Sequence, residues 1–417
     1  MLVLLTATSA FAQSLPTFGG PSMTRASEQA SRTRRAASVP DGMAITSAGG
    51  DYRVQLGLLV HEDSRLAWND DQKNVTDTFV LRRFRPSVRG RVAHRFDFFV
   101  NPDFSNTTTS VVQDLYIDTV FNPAFRLRVG KGKTPFGLER LQSALNLTFL
   151  ERGMPTAVAP NRDIGVQALG DLRGDVFSYL VGVMNGVGDG GSYSRRTGDG
   201  KEISGRFVVR PFNVHATHPL HGLALAISGS TGDQTGTPLR FFQTQTLRQR
   251  YFSYANGVTN DGRRERYSPQ VSFYHGRFGG FGEYVRSQAP VRRAAVREDI
   301  AHQAWQVAGS WLITGETATD AQTGVRPHAR FDPAAHHWGA LQVAFRYQAL
   351  KVDDEAIALG FASADSSHIA SGWTAGVNWY LNDNLRCTSN FERTVFDHGA
   401  GARPAENVLA FRTQLIF

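Results

Sequence analysis

From Asp51 onward the chain alternates apolar and polar residues with a period of two. That pattern marks strands whose two faces meet different surroundings. In DYRVQLGLLV, Tyr52, Val54, Leu56, Leu58 and Val60 share one face, with Arg53, Gln55 and Gly57 on the other. Leu115, Ile117 and Phe121 oppose Asp114, Tyr116 and Asp118. Leu341, Val343, Phe345 and Tyr347 oppose Gln342, Arg346 and Gln348. Trp373, Ala375, Val377, Trp379 and Leu381 oppose Thr374, Gly376 and Asn378. The chain ends with Leu409, Phe411, Leu415 and Phe417 set against Arg412 and Gln414. A soluble sandwich would cover such an apolar face with a second sheet, whereas a membrane barrel covers it with lipid and keeps the other face polar. Polar and charged residues recur on the second face. Aromatics fall near strand ends, at Trp305 and Trp311, Trp338 and Tyr347, and Trp373 and Trp379. Both features favour an all-β, transmembrane antiparallel barrel. The pattern gives about sixteen or seventeen strand candidates of roughly 8–12 residues, a length that crosses a bilayer at a tilt. Closure calls for an even number, so about sixteen are expected, and the doubtful candidate lies in 238–256.

Connections alternate between short and long. Short ones are expected at Asn122-Pro123, Asp171–Gly174, Gly276–Gly280 and 382–384. Long ones are expected at 64–76, 102–111, 135–161, 186–201, 257–267, 288–300, 315–336 and 351–370. One of these stands apart. Over Gly130–Gly165 the strand pattern stops, and a segment rich in Leu138, Leu141, Leu145, Leu147, Phe149 and Leu150 carries Arg140, Arg152 and Arg162. It is too apolar for a solvated tail. A long insertion of this kind is expected to be functional, here as a loop over Pro135–Pro160 folded into the barrel. Strict alternation from Arg126 and Arg128 leaves Lys131 and Lys133 off the lumen face.

Ahead of the barrel domain at 51–417, residues 1–12 read as a truncated secretory signal ending in Ala10-Phe11-Ala12. Residues 13–50 read as a flexible basic lead-in. Net charge is +8, and of the 45 basic residues only five are lysine (Lys73, Lys131, Lys133, Lys201 and Lys351), so forty are arginine. A basic balance suits an oxyanion partner, because the guanidinium fork matches such groups, but it also fits nucleic acid. The segregation of aromatics and arginines to opposite strand faces argues against nucleic acid, which needs both on one face. The single cysteine, Cys387, excludes internal disulfides and cysteine-based zinc sites.

No catalytic, cofactor or metal signature emerges. Gly130–Thr134 resembles the end of a phosphate-binding loop, but Leu127 stands where the first glycine belongs and Pro135 follows where a helix should run. GVGDGG at 186–191 reads as a loop without βα context. The twelve histidines show no metal-ligand spacing. The densest cationic run is Arg82-Arg83-Phe84-Arg85. Alternation places Arg83 and Arg85 in the lumen and points Arg82 at lipid, unless a bulge near Pro86 or a rim position intervenes.

Several blocks resemble the phosphate-selective porins O and P of Gram-negative outer membranes. They are KTPFGLERL at 133–141, FLERGMPTA at 149–157, NRDIGVQALGDL at 161–172, YLVGVMNG at 179–186, SWLITGE at 310–316, GWTAGVNWYLNDNLR at 372–386 and ENVLAFRTQLIF at 406–417. The resemblance implies an outer-membrane homotrimer of sixteen-stranded barrels that pass inorganic phosphate, pyrophosphate or polyphosphate through an arginine-lined constriction. By motif, the constriction arginines fall on Arg82 and Arg83, with Arg85 beside them. The acidic residue falls on Asp114, the basic residue after FGLE on Arg140, with Ser143 following, and the arginine of the ER segment on Arg152. Two departures stand out. Arg85 replaces an aromatic residue, and Ala144 or Leu145 stands where a second lysine is expected after Ser143. The alternative channel class is a general or sugar-type porin with weak ion preference.

Overall fold

The computed structural model describes residues 44–68, 77–105, 111–194, 199–215, 217–236, 241–320, 324–397 and 403–417. The expected signal segment and most of the expected lead-in lie outside these residues. The end of the lead-in is described: Ala44–Thr46 pairs with the first barrel strand at Arg53–Gln55.

Sixteen strands close the barrel. They are Tyr52–Ala67 (β1), Thr78–Val92 (β2), Phe96–Pro102 (β3), Val112–Asn122 (β4), Phe125–Lys133 (β5), Arg162–Leu172 (β6), Phe177–Met184 (β7) and Glu202–Val209 (β8). Then come Leu223–Asp233 (β9), Arg263–His275 (β10), Phe278–Arg293 (β11), Val296–Leu312 (β12), Ala340–Lys351 (β13), Ile369–Tyr380 (β14), Leu385–Asp397 (β15) and Glu406–Ile416 (β16). Each strand pairs antiparallel with its neighbour in sequence, and β16 returns to β1 through Leu59↔Ile416 to Ala67↔Val408. Closure removes the sheet edges, which a bilayer cannot solvate.

The expected faces are found. Leu115, Ile117, Val129, Ile227, Val307 and Phe345 point outward and are exposed, while Asp114, Asp118, Arg128, Gln306, Arg346 and Arg412 point inward and are buried. Trp305 packs on Tyr347, and Phe278 stacks on Trp311. Trp305 and Trp311 are six residues apart on β12, about 20 Å along the strand, and both lie on the outward face.

Two expected long loops differ. Residues 288–300 are not a loop: β11 and β12 run 16 and 17 residues and meet at a two-residue turn, Ala294-Ala295. Residues 313–339 are a long connection, but they join β12 to β13 at the end of the barrel that carries the short turns. The doubtful candidate within 238–256 is not a barrel strand. Its described part forms a small hairpin, Phe242–Gln243 with Arg250–Phe252, tucked inside the barrel.

The lumen is not polar throughout. Phe136, Met154, Val158, Phe242, Tyr251, Phe252, Ile300, Leu350 and Phe361 form one buried apolar cluster. It joins the loop after β5, the hairpin and the inner faces of β11 to β13. Local alternation fails there because a folded-in loop, not water, covers the inner face. The side of the lumen along β11 to β13 is therefore packed by loops.

The outward face should reject charge. Phe345→Arg is expected to cost roughly 2–4 kcal/mol, read as a lower midpoint for urea unfolding of the barrel in lipid vesicles.

Candidate functional site

The loop at 134–161 leaves β5, crosses the lumen and returns to β6. The wall holds it by its main chain. The Leu138 and Glu139 amides donate to the two oxygens of Glu283 at 2.6 and 3.3 Å. The Met154 amide donates to Gln348 Oε1 at 2.8 Å. Asn378 donates to the Thr148 carbonyl at 2.8 Å, Arg386 to Leu147 at 3.1 Å, Arg346 to Glu151 at 3.0 Å and Gln414 to Leu145 at 2.9 Å, and Arg412 donates to the Leu150 carbonyl. Strands β11 and β13 to β16 thus fix the loop against one side of the barrel. Gly153 is required by space: a Cβ there would lie 2.0 Å from Gln306 Oε1 and 2.9 Å from Gln348 Oε1.

Two charged centres follow. In the first, Glu151 accepts from Arg82 Nε at 2.6 Å and Nη2 at 3.0 Å, from Arg83 Nη2 at 3.5 Å and from Arg412 Nη2 at 3.1 Å. Arg65 lies 3.8 Å from the same carboxylate. Asp63 in turn holds Arg65 at 2.8 Å and Arg412 at 2.6 and 2.8 Å. Burial alone would raise the Glu151 carboxyl, yet Arg82, Arg83 and Arg412 hold it well below the usual carboxylate range. His61 is fully buried beside Arg83, with Nδ1 2.8 Å from Arg83 Nη1 and Nε2 2.8 Å from Gln414 Oε1. Arginine can only donate, so Nδ1 accepts and the neutral Nε2–H tautomer is fixed.

Arg82 reaches this centre through a bulge. His61 pairs with Arg83 and Glu62 with Leu81, which leaves Arg82 as the extra residue. Adjacent arginines therefore both face inward, while Leu81 and Phe84 are exposed to the outside. The bulge sits at Arg82 itself and not near Pro86.

In the second centre, Arg85 Nε donates to Asp103 at 2.8 Å. Asp114 accepts two bonds from Arg162, at 2.9 and 3.1 Å, and one from Asn101 at 2.9 Å. Asp114 thus steadies Arg162 and not the Arg82–Arg83 pair, whose carboxylate is Glu151. Arg152 donates to the carbonyls of Glu139 at 2.9 Å and Gln142 at 2.6 Å, and Arg140 donates to the Thr156 carbonyl. Lys133 donates to the carbonyls of Leu141 and Gln142 at 2.9 and 2.7 Å. Its ammonium is therefore inside the barrel, against the alternation argument, because Lys133 ends the strand and its long side chain turns onto the loop that follows. Lys131 instead reaches the Val112 carbonyl and Ser194 Oγ at 2.7 and 2.8 Å. Burial, then Arg152 and Arg162, push the Arg140 guanidinium down to about 9. Burial pushes Arg152 down to about 10 against the pull of Glu139, with Arg162 and Arg85 adding to the effect. Both stay protonated at neutral pH. Crowded cations of this kind gain from an arriving anion. Ser143 is half-buried on the same loop, its Oγ taking a 3.3 Å bond from the Leu145 amide.

The profile described as "Phosphate-selective porin O and P" matches residues 54–417. The chain belongs to this family. Membership makes it a porin of the Gram-negative outer membrane, a channel and not an enzyme. It is 22% identical over 384 residues to Porin O of Pseudomonas aeruginosa, covering 85% of this chain and 86% of that one. The fold is similar to an anion-selective porin from Comamonas acidovorans, at TM-score 0.55 and 11% identity, covering 88% of this chain and 100% of that one. It is also similar to the trimer form of OmpT of Vibrio cholerae, at TM-score 0.54 and 10% identity, covering 88% and 99%.

Of the residues expected at the site, Arg82 and Arg83 share one centre, and Arg85, Asp114, Arg140 and Arg152 gather in the other around Arg162. Arg65, Asp63, His61, Arg412 and Glu151 belong to the site without a motif that marks them as site residues. The first four sit on the inward face of β1 or β16, a signal that alternation carries but does not rank.

In this porin, Gly153→Ala should push the loop off β12 and β13. Overpacking of this kind costs about 1–3 kcal/mol. The expected readout is a larger single-channel conductance from a barrel that still shows the heat-dependent gel mobility of a folded porin.

Proposed function

We propose that this porin is a passive, anion-selective channel for inorganic phosphate, pyrophosphate or short polyphosphate, working as a homotrimer. The observation that carries the reading is the state of Lys133, Arg140 and Arg152. Among the described residues none of the three has a carboxylate within ion-pair distance, and all are anchored by loop carbonyls. A carbonyl orients a cation without cancelling its charge. These groups are thus aimed but not neutralised, in a throat where low-dielectric walls focus the field.

An anion entering the throat would exchange part of its water for charge-assisted hydrogen bonds from Arg140 and Arg152, with Arg85 and Arg162 adjacent. Ser143 offers a neutral donor. Asp103 and Asp114 offset two of the arginines and keep binding weak enough for release. Arg82 and Arg83 are more strongly compensated, through Glu151, and extend the positive field along the path. The family's description names phosphate, the Comamonas relative is named for anion selectivity, and one OmpT form is a trimer; each supports the corresponding part of the reading.

The test is single-channel recording in chloride with phosphate titrated in. The expected result is anion preference and block of chloride current by phosphate. Arg152→Ala should weaken that block by about 10- to 100-fold, the equivalent of one lost hydrogen bond to a charged group. Arg83→Ala should weaken it less, because Glu151 already offsets that charge. Cation preference, or chloride current untouched by phosphate, would replace this reading with a general or sugar-type porin.

A further inference from the structure

Beneath the inward hairpin lies an acidic pair without the counter-charge that Glu151, Asp63 and Asp114 enjoy. Glu392 is on the inner face of β15 and Glu406 begins β16. Thr394 is paired with Glu406 and Glu392 with Val408, so the two glutamates are diagonal neighbours on adjacent strands. Diagonal pairs lie within reach of long side chains. The hairpin touches both. Thr244 Oγ1 donates to Glu406 Oε2 at 3.1 Å, and Thr246 Oγ1 to Glu392 Oε2 at 3.3 Å. Thr374 Oγ1 also approaches Glu392 Oε2, at 3.5 Å.

The charge does not balance. The one guanidinium near Glu392 among the described residues is Arg346, whose Nη2 is 3.8 Å from Oε2. Arg346 is shared with Glu139, 3.7 Å from its other nitrogen. Arg403 is the cation whose field reaches Glu406, but among the described ion pairs it does not contact that carboxylate: it bonds the Arg250 carbonyl at 2.7 Å and lies over the Phe396 ring. Among the described residues, three oxygens around the pair have no partner: Glu392 Oε1, Glu406 Oε1 and Thr394 Oγ1. Glu392 is 3% exposed and Thr394 0%, while Glu406 is half-buried, so solvent approaches the pair from the Glu406 side alone. Buried carboxylates are normally paired or bound to a metal.

We propose that this pocket is a binding site for a hard divalent cation of the calcium class, bridging Glu392 and Glu406. Every available donor is oxygen, from carboxylate or hydroxyl, which is the ligand set of calcium and magnesium and not of softer metals. Two carboxylates match the charge of one such ion. A shared proton would serve two oxygens and leave the rest unpartnered, whereas a cation draws several into one shell. Among the described residues no three His, Cys, Asp or Glu side chains converge, so hydroxyls and water complete the coordination. The irregular donor set favours calcium, which tolerates flexible geometry, over magnesium, which demands an octahedron. Because Thr244 and Thr246 belong to the hairpin, the ion would pin that second inward element to the β15–β16 wall.

The site is tested on the full-length protein in detergent after chelation, by calorimetric titration with calcium chloride and by thermal unfolding with and without it. The expected result is one saturable calcium site per chain, and a thermal midpoint raised by the ion. In Glu392→Gln and Glu406→Gln the affinity should fall at least tenfold and the calcium-dependent shift disappear, while both still migrate as folded barrels. Thr394→Val, which leaves the charges intact, should weaken binding more mildly and serves if the glutamine variants do not fold. Three results would overturn the proposal: no saturable binding, binding undiminished in all three variants, or a midpoint that follows pH through the two glutamates but ignores calcium. None of these readouts involves conduction, so failure here leaves the anion-channel reading standing, and failure of that reading leaves this one.

Discussion

The loop at 134–161 brings peptide groups into the middle of a membrane barrel, and each must find a partner there. An unsatisfied carbonyl at that depth costs several kcal/mol. The wall meets this demand with long donors: Arg346, Arg386, Arg412, Asn378 and Gln414 each bond a different loop carbonyl. Arginine suits the task because its fork reaches far and offers several N–H groups at once. A lumen built to hold such a loop therefore acquires positive charge as a by-product. The basic balance of the chain is in part the cost of folding a loop inward, before any solute is considered.

That charge then has to be managed. Arginines crowded in a buried throat repel one another, and the barrel sets carboxylates among them at intervals: Asp63 and Glu151 in one centre, Asp103 and Asp114 in the other. The compensation is uneven. Where a carboxylate is present the guanidinium is locked, as with Arg412 between Asp63 and Glu151. Where only a carbonyl is present, as with Arg140 and Arg152, orientation is kept and charge is left over. The apolar cluster from Phe136 to Phe361, in part on the same loop as Arg140, gives the throat a low-dielectric wall.

Much of this was legible in the residues. Period-two alternation gave the barrel and its facing, because lipid and lumen impose opposite demands on successive side chains. The break in that pattern gave the inward loop, and its motifs gave Arg140, Ser143 and Arg152. What alternation misplaced were positions where the backbone departs from the ideal strand. Arg82 faces inward because one residue is inserted opposite His61–Glu62, and Lys133 turns inward beyond Gly130. The first is a local shift of register, set by pairing with another strand; the second is a strand end, where pairing runs unshifted to Lys133↔Arg162 and the long side chain follows the loop. The hairpin within 238–256 was ambiguous for a related reason. Its residues have strand character, but the surface they pack against is the inside of the barrel. The partner of Asp114 was beyond reach, since nothing local distinguishes Arg162 from other arginines as the one 2.9 Å away.

The pairing of β1 with β16 ties the closing of the wall to part of the constriction. Asp63 and Arg412 are 349 residues apart, yet they share two hydrogen bonds across the seam that closes the cylinder. Glu151, His61 and Gln414 join at the same seam. Until the first and last strands meet, Arg412 has no Asp63 and the loop lacks one of its carbonyl donors. An unclosed sheet thus leaves Arg412 without its Asp63 clamp. The seal of the wall and the Glu151 centre thus share residues, so a barrel that opened at this seam would also loosen that side of its constriction.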